Sequence, residues 1–171
     1  MSDIWYTALI GLVAIERMVE LVVARRNLRW SLRAGGREVG SAHYPLMVTL
    51  HTGLLAGCLL EVWLGGRVFR AVLGWPMLVL VVAAQILRWW CIRTLGRQWN
   101  TRVVVVPRLP RVTRGPYRWL AHPNYVAVVV EGFALPLVHS AWITAAVFTV
   151  ADAGLLSVRI RVENEALAAR A

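Results

Sequence analysis

The chain is organised around long apolar runs separated by short polar segments. Three runs cover residues 4–24, 44–64 and 71–92. Their apolar positions follow neither the helical nor the strand rhythm of a half-buried element, which is typical of segments surrounded by lipid. Each run holds about 20 residues, and about 20 residues of helix cross the ~30 Å hydrocarbon core of a bilayer. The pattern therefore predicts three membrane-spanning helices.

A fourth apolar stretch, residues 124–157, is interrupted near Pro136 and Ser140. As one continuous helix it would be roughly 50 Å long, which is too long for a single span and short for two. We expect a tight helical hairpin that turns between Pro136 and Ser140, giving about five transmembrane helices in total. A single kinked helix is the alternative, and it would place the C-terminus on the other side of the membrane.

The polar segments between the runs predict loops. Residues 27–43 contain the turn signal Gly35-Gly36, and residues 101–116 combine a short valine run with three prolines. We expect the second segment to be extended and to lie at the membrane surface, because its apolar run is too short to span. No linker divides the chain, so residues 1–171 are predicted to form one domain.

Composition supports the membrane interpretation and also predicts the orientation of the chain in the membrane. Hydrophobic residues make up 58% of the chain, the mean hydropathy is +0.59 and the formal net charge is +10. All 19 basic residues are arginine, and 16 of them fall within residues 25–37, 88–118 and 159–171. Placing these segments on one side satisfies the positive-inside rule, with the N-terminus outside and the C-terminus in the cytoplasm. Topology and anionic lipid explain the charge, so no nucleic-acid partner is expected.

These features predict an all-α, polytopic integral membrane helix bundle. Arginine in place of lysine, with abundant alanine, valine and glycine, is typical of a GC-rich bacterial genome, so the expected location is the bacterial cytoplasmic (inner) membrane. Cys58 and Cys91 lie in predicted spans without metal-ligand spacing, and no metal is expected.

Ionisable side chains within the predicted spans mark further candidates, because each costs roughly 2.5–3.5 kcal/mol at the centre of a bilayer. Glu16, Arg17 and Glu20 lie in the first run, and His51 and Glu61 lie in the second. Two interpretations stay open for these residues. They form ion pairs and hydrogen bonds that join helices, or they belong to a functional site.

Two polar stripes in the last apolar stretch favour a site. Glu131 follows Asn124 by seven residues, so both fall on one helical face, with Glu131 about 10 Å deeper in the membrane. Asp152, Arg159 and Glu163 share a stripe on the last predicted helix for the same reason. Both stripes begin at the same predicted membrane surface.

The densest motif follows the third apolar run and ends at the start of the fourth apolar stretch. Gly115-Pro116-Tyr117 is followed by His122-Pro123-Asn124-Tyr125. His122 precedes a proline and is therefore biased away from helical geometry, while Pro123 suits the first position of a helix. The free N–H groups and positive dipole at such a helix start favour a carboxylate ligand. The motif predicts a small-molecule site at the headgroup level.

These residues resemble the isoprenylcysteine carboxyl methyltransferase family, whose members carry an LG-x-x-aromatic segment, then GPY-x-x-x-RHPxY, then a C-terminal RI-x-x-EE-x-x-L. The resemblance covers residues 88–167, about half of the chain, in the family's order and spacing. The matching residues are Leu95-Gly96 with Trp99, Gly115-Pro116-Tyr117, His122-Pro123-Asn124-Tyr125, and Arg159-Ile160 with Glu163, Asn164 and Leu167.

The resemblance implies a membrane enzyme that binds S-adenosylmethionine without a Rossmann fold. It divides the domain into N-terminal helices, residues 1–87, and a cofactor-binding core, residues 88–171. The cofactor would lie between the HPxY loop and the C-terminal helix, facing the cytoplasm, and a lipophilic acceptor would enter from the membrane. Arg159, together with Arg88, would neutralise the acceptor or the methionine carboxylate. The implied cofactor-binding residues are Tyr117, Leu120, His122, Asn124, Tyr125 and Glu163.

Two departures from the family pattern leave the acceptor more open than the cofactor. Ala121 stands where the family usually has arginine, and Asn164 replaces the second glutamate. The first half of the chain, including Glu16-Arg17, Tyr44-Pro45 and His51, resembles a bacterial subgroup that O-methylates long-chain alkylpyrones or alkylresorcinols. The expected acceptor is therefore a lipidic phenol or enol, with a prenylcysteine-like carboxylate as the other possibility.

The expected reaction is in-line attack by an acceptor oxygen on the sulfonium methyl group. A carboxylate acceptor is already ionised, whereas a phenol, with a pKa of about 10, needs a base. Glu131 is the candidate base or acceptor contact, and His122 is the second choice. The alternatives are a phospholipid N-methyltransferase, an NADPH-dependent membrane reductase of the sterol-reductase type, and a non-enzymatic membrane scaffold.

Overall fold

The computed structural model describes residues 2–40, 43–107 and 109–168, except for the side chains of His43 and Leu167. The family match at Leu167 therefore lies outside the described side chains. Five α-helices dominate the described part of the chain: α1 Ser2–Arg33, α2 His43–Trp63, α3 Ala71–Leu95, α4 Pro123–Leu137 and α5 Trp142–Ala168. Short 3₁₀ turns lie at Gly96–Gln98 and Gly115–Arg118, and two strands lie at β1 Arg37–Val39 and β2 Val103–Val105.

Helices α4 and α5 form the predicted hairpin. The turn between them contains Ser140 in the left-handed region, with φ 58°. The helices are antiparallel, since Gly132 faces Phe148 near the turn while Tyr125 bonds to Glu163 at the far end. A Cβ atom on Gly132 would overlap the Phe148 ring, so only glycine allows this close packing. The alternative of one kinked helix does not occur.

Three helical segments in the described ranges are long and apolar enough to cross a membrane: Tyr44–Trp63, Ala71–Gln98 and Trp142–Ala166. Pro123–Leu137 is a shorter apolar helix. The first predicted run forms part of α1 and carries Glu16, Arg17 and Glu20. The structure is thus a mainly helical bundle with membrane-spanning character, while the count of five spans and the sides of the two termini remain predictions.

The core at the hairpin-turn end joins all five helices. Tyr6 is fully buried there, and its hydroxyl donates to the Leu135 carbonyl at 3.0 Å. Glu61 accepts hydrogen bonds from the backbone N–H groups of Ile143 and Thr144, at 3.0 and 2.7 Å. Because the first N–H groups of a helix have no intrahelical partner, Glu61 caps α5 from a neighbouring helix.

Two local features differ from the sequence expectation. The helix α1 continues to Arg33, so the polar loop expected from residue 27 begins later. The extended conformation expected for residues 101–116 is found in β2, but β2 also pairs antiparallel with β1, with Glu38 opposite Val104. The all-α prediction missed this small sheet, because strands of three residues are shorter than any periodicity can reveal.

The arginine-rich segments meet at one end of the bundle. We call it the Arg-rich end, formed by the C-terminal turns of α1, α3 and α5, the β1–β2 sheet and the start of α4. Asn27 of α1 fixes the chain after α3, because its Nδ2 atom donates to the carbonyls of Gly96 and Trp99, at 3.0 and 2.7 Å. This end carries the motifs of the predicted site.

Candidate active site

A cavity of about 160 Å³, lined by both polar and apolar side chains, lies at the Arg-rich end, and we call it the polar cavity because it is richer in polar groups than the second cavity described below. Its walls come from β2 and the segment after it, the Gly115–Arg118 turn, the start of α4 and the last turns of α5. The predicted site residues on its lining are Tyr117, His122, Asn124, Tyr125, Arg159 and Glu163. The structure therefore brings six of the predicted residues to one cavity.

Two observations fit a polar ligand in this cavity. The α4 helix begins at Pro123 beside it, with the free N–H groups and positive dipole that favour an anionic group. The Oδ1 atom of Asn124 is buried and has no hydrogen-bond partner among the described residues. A buried unpaired acceptor is costly, so a ligand donor is the natural partner for it.

The Gly115–Arg118 turn positions Tyr117. Gly115 has φ 58°, which favours glycine, and a Cβ atom there would lie 2.6 Å from Thr94 Oγ1. Burial, followed by the neighbouring Cys91 thiol, raises the pKa of the Tyr117 phenol. Its hydroxyl therefore stays protonated at physiological pH and can donate a hydrogen bond to a ligand.

The start of α4 and the end of α5 are joined by the predicted motif residues. The Tyr125 hydroxyl donates to the Glu163 carboxylate. The His122 ring stacks on Tyr125 with ring centroids 5.3 Å apart. His122 Nε2 lies 3.0 Å from Asn164 Oδ1, so Nε2 carries a proton in this contact. Asn164, the departure from the family pattern, thus holds His122 in place.

Arg159 connects three other elements. Its Nε donates to the Tyr125 hydroxyl at 2.9 Å, its Nη1 contacts Met47 Sδ at 2.7 Å, and its Nη2 donates to the Thr101 carbonyl at 2.6 Å. The guanidinium is therefore held by α4, α2 and the segment before β2. Within the described ranges no carboxylate lies at ion-pair distance from it.

A second, mostly apolar cavity of about 270 Å³ lies deeper in the bundle. All five helices contribute to its walls. Met18 of α1 and Val48 of α2 line it and are also 62% and 40% exposed on the outer surface. The cavity therefore opens between α1 and α2, on a surface that faces lipid in a membrane.

The two cavities share part of their walls. Trp99, Asn124, Tyr125 and Arg159 line both of them. A polar ligand in the first cavity and an apolar ligand in the second would therefore meet at these four side chains. This shared wall is the central geometric feature of the site.

A buried ionic cluster lies beside the apolar cavity. The Glu131 carboxylate is bound by both Arg17 and Arg88. Glu20 pairs with Arg17 at 2.5 Å and faces Arg88 Nε at 3.5 Å. Beside the cluster, Glu16 accepts from Gln85 and Trp89. These contacts join α1, α3 and α4, which agrees with the interhelical ion-pair interpretation.

The remaining predicted residues lie at different depths. Arg88 lines the apolar cavity. Glu131 lines neither of the two larger cavities and borders only a small space beside Arg17 and His51. Leu120 is 43% exposed and lies outside both walls.

Sequence reasoning missed several lining residues. The polar cavity is also bordered by Ser31 and by the valines of β2, and the apolar cavity by Met47. No motif spacing marks the valines or Met47, because their role depends on how distant segments fold over the site. Asp152, which the sequence placed on one stripe with Arg159, also lines the apolar cavity.

Comparisons with known proteins agree with the motif analysis. Residues 77–169 match the family model of the isoprenylcysteine carboxyl methyltransferase (ICMT) family. The uncharacterized protein YpbQ of Bacillus subtilis (strain 168) is 37% identical over 160 residues, which cover 93% of this chain and 94% of that protein. The family match includes the whole stretch that carries the motifs and all four residues of the shared wall.

Proposed function

The chain belongs to the isoprenylcysteine carboxyl methyltransferase family of membrane methyltransferases, and from that premise we propose that it transfers the methyl group of S-adenosylmethionine to an oxygen of a lipophilic acceptor. The observation that carries the proposal is the wall shared by the two cavities. A polar cofactor and an apolar acceptor would meet at Asn124, Tyr125 and Arg159. Such a meeting point supplies the proximity that methyl transfer requires.

The polar cavity fits the cofactor in its donor and acceptor groups. Tyr117 and His122 offer aromatic faces and hydrogen bonds, while Glu163 and the unpaired Asn124 Oδ1 offer acceptors for an amino or hydroxyl group. Tyr125 holds Glu163 in position. S-adenosylmethionine would supply an electrophilic methyl group on a sulfonium. A contact from Leu120 remains a prediction, since this side chain lies outside the cavity wall.

The apolar cavity fits the acceptor. Its opening between α1 and α2 suits a lipid chain, and Arg159 at the shared wall suits the oxygen-bearing head of the acceptor. Arg88 also lines the apolar cavity, where it is held by Glu131 and Glu20. Glu131, already bonded to two guanidinium groups, is better suited to hold Arg88 than to take up a proton. Both acceptor classes, an alkylpyrone- or alkylresorcinol-like lipid and a prenylcysteine-like carboxylate, are compatible with an apolar cavity.

The proposed site faces the cytoplasm of a bacterium. The Arg-rich end carries the arginine excess that the positive-inside rule assigns to the cytoplasmic side. The cofactor would therefore enter from the aqueous side and the acceptor from the lipid.

The purified protein in lipid nanodiscs tests this function. We expect isothermal calorimetry to detect binding of S-adenosylmethionine but not of NADPH. We also expect methyl-labelled cofactor to label an oxygen of a neutral or acidic lipid in an extract of the host membrane. Label on an amine headgroup would indicate a phospholipid N-methyltransferase, and binding of NADPH alone would indicate a reductase. Binding of neither cofactor would contradict an enzymatic role.

A further inference from the structure

One part of the polar cavity is lined mainly by side chains without formal charge. Its wall comes from the end of α1, the segment after α3 and the strand β2. We call this part the neutral half, and it is formed by Ser31, Gln98, Asn100 and the valines at 103–105. Two arginines border the cavity as well: Arg102 is paired with Glu38 at 2.8 Å, and Arg111 is exposed to solvent. The neutral half therefore offers an apolar surface together with one hydroxyl group and two amides.

The rest of the polar cavity carries the ionisable motif residues. Glu163 of α5 is the carboxylate on the lining, and the first N–H groups of α4 lie beside the cavity together with Arg159. These groups suit the charged part of S-adenosylmethionine, because an ammonium group pairs with a carboxylate and a carboxylate pairs with a guanidinium or a helix start. The uncharged part of the cofactor, its adenosine, is then left for the neutral half.

The amide of Asn100 in the neutral half is only partly hydrogen-bonded. Its Nδ2 atom donates to Ser31 Oγ at 3.4 Å, and this contact with the end of α1 orients the amide. Its Oδ1 atom is buried and has no hydrogen-bond partner among the described residues. A buried acceptor without a partner is costly, so it indicates a donor that a ligand supplies. The amide nitrogen carries two protons, so one of them is left for a ligand as well.

The edge of adenine is complementary to such an amide. Adenine presents its N6 amino group as a donor next to a ring nitrogen that accepts, and the asparagine amide pairs with this edge through its oxygen and nitrogen atoms. A ribose hydroxyl can also donate to an amide oxygen. The base, however, is the part of the cofactor with flat apolar faces, and these are what the valines of β2 on the same wall can cover.

We propose that Asn100 determines the specificity for the base of the cofactor: its Oδ1 atom accepts a hydrogen bond from the N6 amino group of an adenine that lies against the valines of β2. This inference rests on the proposed methyltransferase function and adds a binding residue that the family motifs do not specify. It also sets the direction of the cofactor in the cavity. Adenine lies toward α1 and β2, and the sulfonium lies toward the shared wall at Asn124, Tyr125 and Arg159.

The binding of two ligands to the unaltered protein in nanodiscs tests this contact. S-adenosylhomocysteine, the demethylated cofactor, keeps the N6 amino group, whereas its 6-deamino analogue carries a hydrogen atom in that place. We expect calorimetry to show about 10-fold tighter binding of S-adenosylhomocysteine, because the analogue leaves the buried Asn100 oxygen unpaired. Equal affinities for the two ligands would overturn this inference and leave the methyltransferase function standing.

The variant Asn100→Leu tests the residue itself, because leucine has a similar size and no hydrogen-bonding group. We expect it to bind S-adenosylhomocysteine about 10-fold more weakly and the 6-deamino analogue less than about 3-fold more weakly, so that the preference for adenine disappears. Asn124→Leu is the matched control, since it makes the same change at the start of α4. It should weaken both ligands by a similar factor and keep the preference. A preference that persists in Asn100→Leu would overturn the role of Asn100.

Two further measurements keep the test decisive. Binding of the 6-deamino analogue by Asn100→Leu shows that this variant is folded. If it does not fold, Asn100→Ala removes the same amide without adding an apolar branch, and we expect the same loss of preference; a preserved preference there would also overturn the inference. Failure of the unaltered protein to bind either S-adenosylmethionine or S-adenosylhomocysteine would instead contradict the proposed function itself.

Discussion

The Nε atom of Arg159 lies 2.9 Å from the hydroxyl oxygen of Tyr125, and the same hydroxyl donates to Glu163. This contact ties the end of α5 to the start of α4, the two ends of the hairpin farthest from its turn. Arg159 and Tyr125 also border both cavities. The wall between the proposed cofactor and acceptor sites is thus held by one phenolic oxygen.

The substitution Tyr125→Phe tests this wall. It removes the hydroxyl that orients Glu163 and Arg159 while it keeps the ring that stacks on His122. We expect the affinity for S-adenosylmethionine, measured by calorimetry, to fall by about 10-fold, since one charged hydrogen-bond network is lost. Tyr44→Phe is the control, because Tyr44 borders the apolar cavity but not the polar one, and the change keeps the ring that stacks on Arg102. Equal affinity in both variants would rule out the proposed role of Tyr125.

The substitution Glu131→Gln tests the ionic cluster. It leaves Arg17 and Arg88 buried without their shared carboxylate. We expect the free energy of unfolding in detergent to fall by about 3 kcal/mol and turnover to fall, while cofactor binding to the folded fraction persists.

The control for Glu131→Gln is Glu38→Gln. Glu38 pairs with Arg102 at 2.8 Å near the surface, where both side chains are partly exposed. This change should cost less than about 1 kcal/mol. Unchanged turnover in Glu131→Gln would exclude a part for Glu131 in the reaction.

The close packing of the hairpin gives a prediction about stability. In Gly132→Ala the new methyl group would meet the Phe148 ring, so the ring or the helix must shift. We expect a loss of about 1–3 kcal/mol in the free energy of unfolding. Gly154→Ala is the matched control on α5, because a Cβ atom there has nothing within 4 Å. Similar unfolding midpoints for the two variants would contradict the importance of this contact.

The membrane topology can be tested with reporter fusions. Five spans place the C-terminus in the cytoplasm and the loop between α2 and α3 outside. Alkaline phosphatase, which is active only outside the cytoplasm, should therefore be inactive when fused after the C-terminus and active when fused after Gly66. Phosphatase activity at the C-terminus would exclude the five-span arrangement.

Much of the helical framework could be predicted from the sequence. In lipid the backbone must satisfy its own hydrogen bonds, so long apolar runs become helices. The break at Pro136 and Ser140 likewise predicted a hairpin, and the His122-Pro123 pair predicted the start of α4. The length of α1 beyond residue 27 was missed, because its last turns are polar and show no apolar run.

The partners of individual side chains were harder to predict. The sequence favoured Glu131 as a base, whereas the structure surrounds it with Arg17 and Arg88. Asp152 received no specific role from its position in the stripe, yet the structure places it in the wall of the apolar cavity. The pairing of β1 with β2 could not be predicted from the sequence either, since the strands are short and far apart in the chain.

The sequence by itself determined the apolar helices, the hairpin and the family motifs, because these follow from runs and spacings within single segments. Only the tertiary structure decided which side chains share a cavity and which carboxylates are paired. Lipid and a protein core are both apolar, so an apolar helix does not encode which of its faces meets its neighbours. The shared wall at Asn124, Tyr125 and Arg159 forms only when packing fixes which face each helix turns toward its neighbours.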